Sequence, residues 1–420
     1  MSTAELEQQH PTTLAFELFA SVPDAVADPH TRYRILREQA PVHRIELPSG
    51  VAVWVLSRYD DCKAVLASHH FGTAAGREDQ GRGLGLMSQE LPEMPVDRVP
   101  PMLFLNPPDH TRIRGLFSRA FTPRRIEALR SHIGELVDEI LLPLRDGGEV
   151  DLLDALAFPL PVAVIGELVG VPVADRPRFR SLVRDGAASL ELNADAEVIQ
   201  RSARAMVEMR DYFADLVEER RVRPADDLLS ALLAVEDDGD TLSRDELISN
   251  VILLFAAGFE TTTNLIGNGV AALCANPDEL ARLQQDRSLV PAAVEEILRY
   301  ESPVQLDGRY AMVDTTLPDG TAVPEGETAI TLLGAANRDP ARFDDPERFD
   351  IGRTDNAPLS FAWGIHHCIG AGLARAEGVE TFSRLLDAFA GIELLDDPPR
   401  WRQSLTLRGL DALPVRLTPA

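Results

Sequence analysis

Phe361-Ala-Trp-Gly-Ile-His-His-Cys-Ile-Gly370 is the stretch on which the reading of this chain turns. It runs into Ala371 to Ala390, a segment rich in Ala, Leu and Arg with helical patterning. Cys368 therefore stands on a glycine-flanked loop just ahead of a helix N-terminus. Unpaired backbone N–H groups and the positive helix end both favour a thiolate at such a place. The same groups draw electron density from sulfur, which sets how strongly it donates to a metal. Gly364 and Gly370 permit a tight turn and the close approach of a flat ligand. A solitary cysteine is more often a small buried hydrophobe, so the residue alone decides nothing. Zinc is a formal alternative because His366, His367 and Cys368 are adjacent, yet no second Cys/His cluster lies at finger-like spacing.

Around this loop the composition is globular: 420 residues, 45% hydrophobic and 26% charged, with no low-complexity tract. That length suits one large or two ordinary domains. No repeat and no Gly/Ser linker divides it, so residues 28–420 are expected as a single domain behind a partly flexible extension, 1–27. The net charge is −26, from 67 acids against 41 bases. Such a surface repels phosphate backbones and anionic lipid heads, which argues against a nucleic-acid partner. The longest apolar run, Val251 to Phe259, is far short of the ~20 residues of a membrane helix. Met1 to His10 is polar and lacks a signal pattern. Three scattered cysteines (Cys62, Cys274, Cys368) form no disulfide framework and fit a reducing compartment. A cytoplasmic monomer without a membrane partner is expected.

Helical periodicity dominates from Pro107 onward, for example over Ile126–Leu144, Ala203–Arg221 and Ala292–Tyr300. Strand-like pieces occur at Val51–Leu56 and Thr321–Thr331. The expected fold class is mainly α with a small β region. Two stretches, His70 to Pro108 and Asp339 to Asn356, fit neither pattern. They read equally as lids or binding loops and as tolerated surface insertions.

Ser243-Arg-Asp-Glu246 is a capping box, after which helical pattern continues to about Ala275, ahead of Asn276-Pro277. At ~1.5 Å per residue this helix is on the order of 50 Å long. Leu247 to Phe259 is apolar nearly all round and should be buried. Gly258, Glu260, Thr261, Thr262, Thr263 and Asn264 then fall in the helix interior. One reading has the threonines bonding back to the preceding turn and Glu260 making a structural pair. The other has Gly258 and the polar cluster opening the backbone ladder and delivering protons to a buried ligand.

Taken with these features, the chain resembles the cytochrome P-450 superfamily, in its soluble bacterial form. The family loop F-x-x-G-x-H-x-C-x-G is matched by Phe361, Gly364, His366, Cys368 and Gly370. Its A-G-x-[D/E]-T motif is met by Ala257, Gly258, Glu260 and Thr261. Glu296-Ile-Leu-Arg299 supplies the family's E-x-x-R, with Pro346-Glu-Arg-Phe349 downstream. One departure is visible: Ala362-Trp363 replaces the commoner glycine-plus-variable pair. The match runs from roughly Asp28 to the C-terminus.

The resemblance implies a helical triangular prism around haem b, with the Cys368 thiolate as the iron ligand. It implies that Thr261 hydrogen-bonds the oxygen being activated and that Glu260 belongs to a proton relay. Ala257, Phe361 and Gly370 would touch the cofactor. His110, Arg114, Arg309 and His366 match positions that hold its propionates, and Asp307 would support a propionate or face substrate. Glu296, Arg299 and Arg348 are implied as a buried network that fixes the cysteine loop.

The implied reaction inserts one atom of O2 into a lipophilic small molecule by hydroxylation or epoxidation. Coupling, dehydrogenation, peroxygenase chemistry and a non-catalytic haem sensor are the alternatives. Electrons would come from a ferredoxin and its reductase. A docking surface for an acidic donor is offered by Arg112, Arg114, Arg119, Arg124, Arg125 and Arg130. The segments Leu84–Leu103, Ser181–Leu192, Leu253–Ala257, Val304–Asp307 and Leu405–Leu407 are largely apolar and are expected to line the pocket. A terpenoid, polyketide, fatty acid or steroid would suit it, and a role in secondary metabolism follows.

Overall fold

The computed structural model describes residues 2–48, 50–73, 99–234 and 241–420. Helices form most of the body, and the β portion is small, as the periodicity predicts. Among the described residues one sheet has the order β1 (Val42–Glu46), β2 (Ala52–Leu56), β8 (Thr328–Leu332), β5 (Leu306–Ala311), β3 (Phe71–Gly72). Its β2–β8 pair is parallel, with Val53 opposite Thr328, and its other pairs are antiparallel. A second sheet sets β10 (Pro414–Pro419) between β4 (Gly148–Asp151) and β9 (Phe389–Leu394). The expected strand at Thr321–Thr331 is broken: Ala322–Val323 is β7, paired with β6 (Thr315–Thr316), and Gly326 turns the chain at φ +92° before β8.

The long central helix spans Arg244–Ala275, 32 residues, about 48 Å at ~1.5 Å each. Its capping box is formed, with Glu246 N–H donating to Ser243 Oγ and Ser243 N–H to the Glu246 carboxylate. Leu247, Val251, Phe255 and Phe259 join an apolar cluster with Phe179, Met209 and Phe213. Leu265, Ile266, Val270 and Leu273 join another with Ile297, Phe382 and Phe389. Each such side chain contributes roughly 1.5–3 kcal/mol on burial. The polar run 260–264 falls where the helix passes from one cluster to the other. Gly269 lets three helices cross closely, since a Cβ there would overlap Phe382 and stand 2.9 Å from Ile297 Cδ1.

Residues 1–27, read as an extension, are packed onto the body from Leu6 onward. Leu14, Ala15, Leu18 and Phe19 form a stripe on the helix Pro11–Phe19 and are at most 1% exposed, against Tyr33, Ile35 and Leu36. Helical structure therefore begins well before Pro107. Of the unassigned stretch His70–Pro108, residues 74–98 lie outside the described residues, and with them most of the expected pocket segment Leu84–Leu103.

Candidate active site

The cysteine loop is shaped by its own backbone. Cys368 N–H donates to Phe361 O at 2.9 Å and His367 N–H to Gly364 O at 3.1 Å, closing a tight turn over Gly364–His366. Gly364 has φ +73°, and a Cβ there would overlap the Leu66 carbonyl oxygen, so no other residue fits. The helix Ala371–Ala388 starts directly after Gly370. Cys368 is exposed at the residue level, yet its sulfur is crowded by protein atoms. That desolvation pushes its thiol up, while the backbone N–H groups of Gly370 and Ala371 and the Arg114 and Arg375 guanidinia pull it down. These opposing groups are the donors that a thiolate ligand requires.

Above this loop lies a cluster of nitrogen donors. The His110 and His366 rings stand 4.2 Å apart, centroid to centroid, and Arg309 and Arg114 bear on both. Burial, reinforced by Arg114 and Arg309, lowers His110 to about 4. Burial and the charges of Arg309, His110 and Arg114 lower His366 to about 3. Among the described residues, both His110 nitrogens, His366 Nε2 and Arg309 Nη2 are buried without a hydrogen-bond partner. Orphaned buried polar atoms are costly, and each neutral imidazole has one N–H to turn toward the space that Arg309 Nη2 also faces, so the cluster suits an anionic acceptor. The two carboxylates on one edge of a haem fit that donor set. Asp307, left open between propionate and substrate, accepts from Arg309 Nη1 and orients it.

On the central helix, Ala257 is exposed while Glu260 is 5% exposed. Thr261 Oγ1 donates to Ala257 O at 2.7 Å and Thr263 Oγ1 to Phe259 O at 3.0 Å, and the helix is continuous through Gly258. The back-bonding alternative therefore describes this arrangement, and the ladder is not opened at Gly258. Glu260 forms an ion pair with Arg402, whose Nη2 also donates to Asn264 Oδ1 at 3.1 Å. Arg402 carries no local signal in the sequence.

The E-x-x-R pair is fully buried: Arg299 Nε and Nη2 both meet the Glu296 carboxylate at 2.8 Å. The remaining Arg299 donors reach the carbonyls of Asn337, Pro346 and Arg348. Arg348 corrects the expectation. Its side chain is 58% exposed and only its carbonyl joins the network, because the chain turns its side chain outward toward Asp350. The guanidinium that does meet Glu296 is Arg353, at 3.3 Å, with Asn356 Nδ2 at 3.0 Å. Asn337 extends the network by accepting from Leu359 N–H and donating to Ser360 Oγ, just before the cysteine loop.

Below the loop, Trp363 is 37% and Ile365 49% exposed, and Lys63 Nζ lies 4.2 Å from the Trp363 ring centroid. The expected basic patch is narrower than its sequence: Arg112 pairs with Glu246 and Arg130 with Glu380, while Arg119 and Arg124 are exposed.

Comparison with known proteins gives consistent findings. The family model Cytochrome P450 matches residues 189–405. The chain is 44% identical to Cytochrome P450 107B1 of Saccharopolyspora erythraea, over 99% of both chains. It is 40% identical to 6-deoxyerythronolide B hydroxylase of the same organism, over 94% of this chain and 99% of that one. Among solved structures it resembles the cytochrome P450 PksS of the Bacillus subtilis bacillaene polyketide synthase. That match has a TM-score of 0.85 at 36% identity, covering 98% of this chain and all of the other.

Proposed function

The chain belongs to the cytochrome P450 family and is a haem-thiolate monooxygenase; on that premise we propose that it oxidises a lipophilic, polyketide-derived molecule with electrons from a ferredoxin. The overall balance is R–H + O2 + 2 e− + 2 H+ → R–OH + H2O, or the corresponding epoxidation. The observation that carries this reading is the meeting of the Cys368 loop with the unpartnered buried polar atoms of His110, His366 and Arg309.

In this reading Cys368 ligates the iron of haem b, and His110, Arg114, Arg309 and His366 receive its propionates. Asp307 and Gly308 fix the direction of Arg309. Haem, when bound, supplies the activation of dioxygen, which a thiolate ligand favours. Leu253, Ala257, Val304, Leu405 and Leu407 orient the substrate and exclude water. Thr261 holds a proton at Oγ1, and Glu260 renews it. Glu296, Arg299 and Arg353 hold the chain beneath the cysteine loop.

Two relatives are named for polyketide chemistry or for hydroxylating 6-deoxyerythronolide B, and the apolar segments suit such a substrate. Exposed Trp363 and Ile365, with Lys63, Arg119 and Arg124, offer the ferredoxin an apolar and cationic contact. Among the described residues no helix is long and apolar enough to cross a membrane.

The test is a panel of macrolactones, steroids, terpenoids and fatty acids, screened by the spectral shift that follows displacement of iron-bound water. The best ligand is then turned over with NADPH, ferredoxin and ferredoxin reductase under 18O2. The reading expects a macrolactone, with one labelled oxygen in the product. Turnover by peroxide alone would overturn the electron supply, and preference for another class would overturn the substrate.

A further inference from the structure

Of the 41 Lys and Arg residues in the chain, one alone is lysine, Lys63. It lies on the helix Tyr59–Ala67, which packs directly against the turn Gly364–His366 of the cysteine loop. The approach is close: a Cβ on Gly364 would overlap Leu66 O and stand 3.1 Å from Ala67 Cα. Leu66 and Ala67, at i+3 and i+4 from Lys63, share its side of the helix. Half-buried, Lys63 brings Nζ to 4.2 Å from the Trp363 ring centroid and 5.7 Å from that of Tyr59. Tyr59 is held by its Oη, which donates to Ala357 O at 2.8 Å, whereas Trp363 is 37% exposed. Among the described residues no carboxylate pairs with Lys63.

Stacking on an aromatic ring does not by itself call for lysine, since arginine does so at least as often. Elsewhere in this chain arginine takes that part. Arg408 lies 3.6 Å from the Trp401 centroid, Arg338 3.8 Å from that of Tyr300 and Arg375 4.5 Å from that of Phe361. A guanidinium is always charged, whereas a lysine amine is a target of acylation, which removes its charge. Arg119 and Arg124, exposed on the expected donor surface, lack that chemistry. The one basic side chain that acylation can silence thus stands on Trp363, the residue that departs from the family's usual loop.

We propose that Lys63 is an acylation site, and that its neutralisation frees Trp363 and weakens the electron donor's hold on the cysteine-loop face. The effect on the donor rests on the proposed function, in which Trp363, Ile365 and Lys63 meet a ferredoxin. The co-reactant is an acyl phosphate, which brings its own leaving group. The uncharged Lys63 amine attacks the acyl carbon, a C–N bond forms, and the C–O bond to phosphate breaks. Phosphate leaves with the bonding pair, the amine proton passes to water, and nothing is oxidised or reduced. The resulting amide carries no charge, so its attraction to the Trp363 face is lost. One cation that an acidic partner would meet is lost with it.

The test treats ferric holoprotein with acetyl phosphate and maps acetylation by peptide mass, with the urea-unfolded chain as the fully accessible reference. Lys63 is expected to acetylate in the folded protein. Hydrogen exchange at residues 361–368, which needs no partner, should then quicken about threefold. Electron transfer from a surrogate ferredoxin pair, followed as the reduced carbon monoxide adduct, should slow about threefold. K63Q should behave as the acetylated protein does, and K63R should show no response to the reagent. Dithionite, which needs no docking, reports whether the haem itself is intact. A Lys63 that stays unmodified in the folded protein while reacting in urea would overturn the site. Acetylation that leaves exchange at 361–368 unchanged contradicts the release of Trp363, and quickened exchange with an unchanged transfer rate contradicts the effect on the donor. If the ferredoxin pair fails to reduce even the untreated parent, it is the electron supply that fails, and acetylation with exchange decides the site.

Discussion

Ala362 carries a backbone conformation that side chains avoid, with φ +55° immediately before Trp363. Left-handed geometry costs about 1–2 kcal/mol for a residue with a Cβ, and this is where the family's commoner glycine is replaced. Glycine would relieve that strain but lose roughly 0.4–1 kcal/mol through its freer unfolded chain. Ala362→Gly is therefore expected to stabilise the holoprotein by about 0.5–1 kcal/mol. A urea midpoint that rises checks this; one that falls contradicts it. The strain persists because the loop is over-determined. Gly364 passes against Leu66, Cys368 N–H is tied to Phe361 O, and Lys63 stacks on the Trp363 ring.

At the scale of elements, the irregular segment after Asn337 owes its shape to one buried ion pair. Glu296 and Arg299 are both 0% exposed and between them satisfy groups on Asn337, Pro346, Arg348, Asp350, Arg353 and Asn356. Removing one partner of such a pair leaves a buried charge and costs about 3–5 kcal/mol. Arg353→Ala strips a partly exposed third member, and a loss of about 1.5–3 kcal/mol is expected, the range for a hydrogen bond to a charged group. Arg348→Ala, whose side chain points to solvent, should change stability by less than about 0.5 kcal/mol. Denaturation of the two variants side by side separates them; the reverse order would assign the network to Arg348 after all.

This contrast shows what can be read along a chain. The central helix was legible at both ends because the capping box Ser243–Glu246 and the stop Asn276–Pro277 are local signals. The cysteine loop was legible because glycine, histidine and cysteine recur at set spacing within ten residues. Arg353 and Arg402 were not, since their partners lie 57 and 142 residues away and no periodicity links them. The helices before Tyr59 were missed for a different reason: each is short, and its apolar stripe is clear only once the surface it covers is known.

At the scale of the whole molecule, the N-terminal helices are fastened to the body by Glu301. Its carboxylate meets Arg408 at 2.8 Å, His30 at 3.1 Å and Arg338 at 3.6 Å, and Arg408 also donates to Val26 O at 2.6 Å. Burial alone would raise the carboxyl, but Arg408, His30 and Arg338 outweigh it and hold it well below the usual carboxylate range. The unfolded chain therefore takes up this proton at a higher pH than the folded one. The stabilisation is present above pH ~4.5, declines below it, and is fully lost only as the pH falls through the much lower folded value. Glu301→Gln should cost about 3 kcal/mol at pH 7 and about 1.4 kcal/mol less at pH 3.5, one unit below the unfolded value, measured by urea denaturation of the holoprotein. A loss that does not change with pH would show that the carboxylate charge is not what fastens the segment.

The proposed function rests on one bond, from the Cys368 sulfur to iron. Its most direct measurement is the absorption spectrum of the reduced holoprotein under carbon monoxide. The far-red-shifted Soret band of a trans thiolate is expected in the parent chain. Cys368→His should lose that band while keeping haem bound. A parent spectrum like that of a histidine-ligated globin, or an unshifted band in Cys368→His, would contradict the assignment.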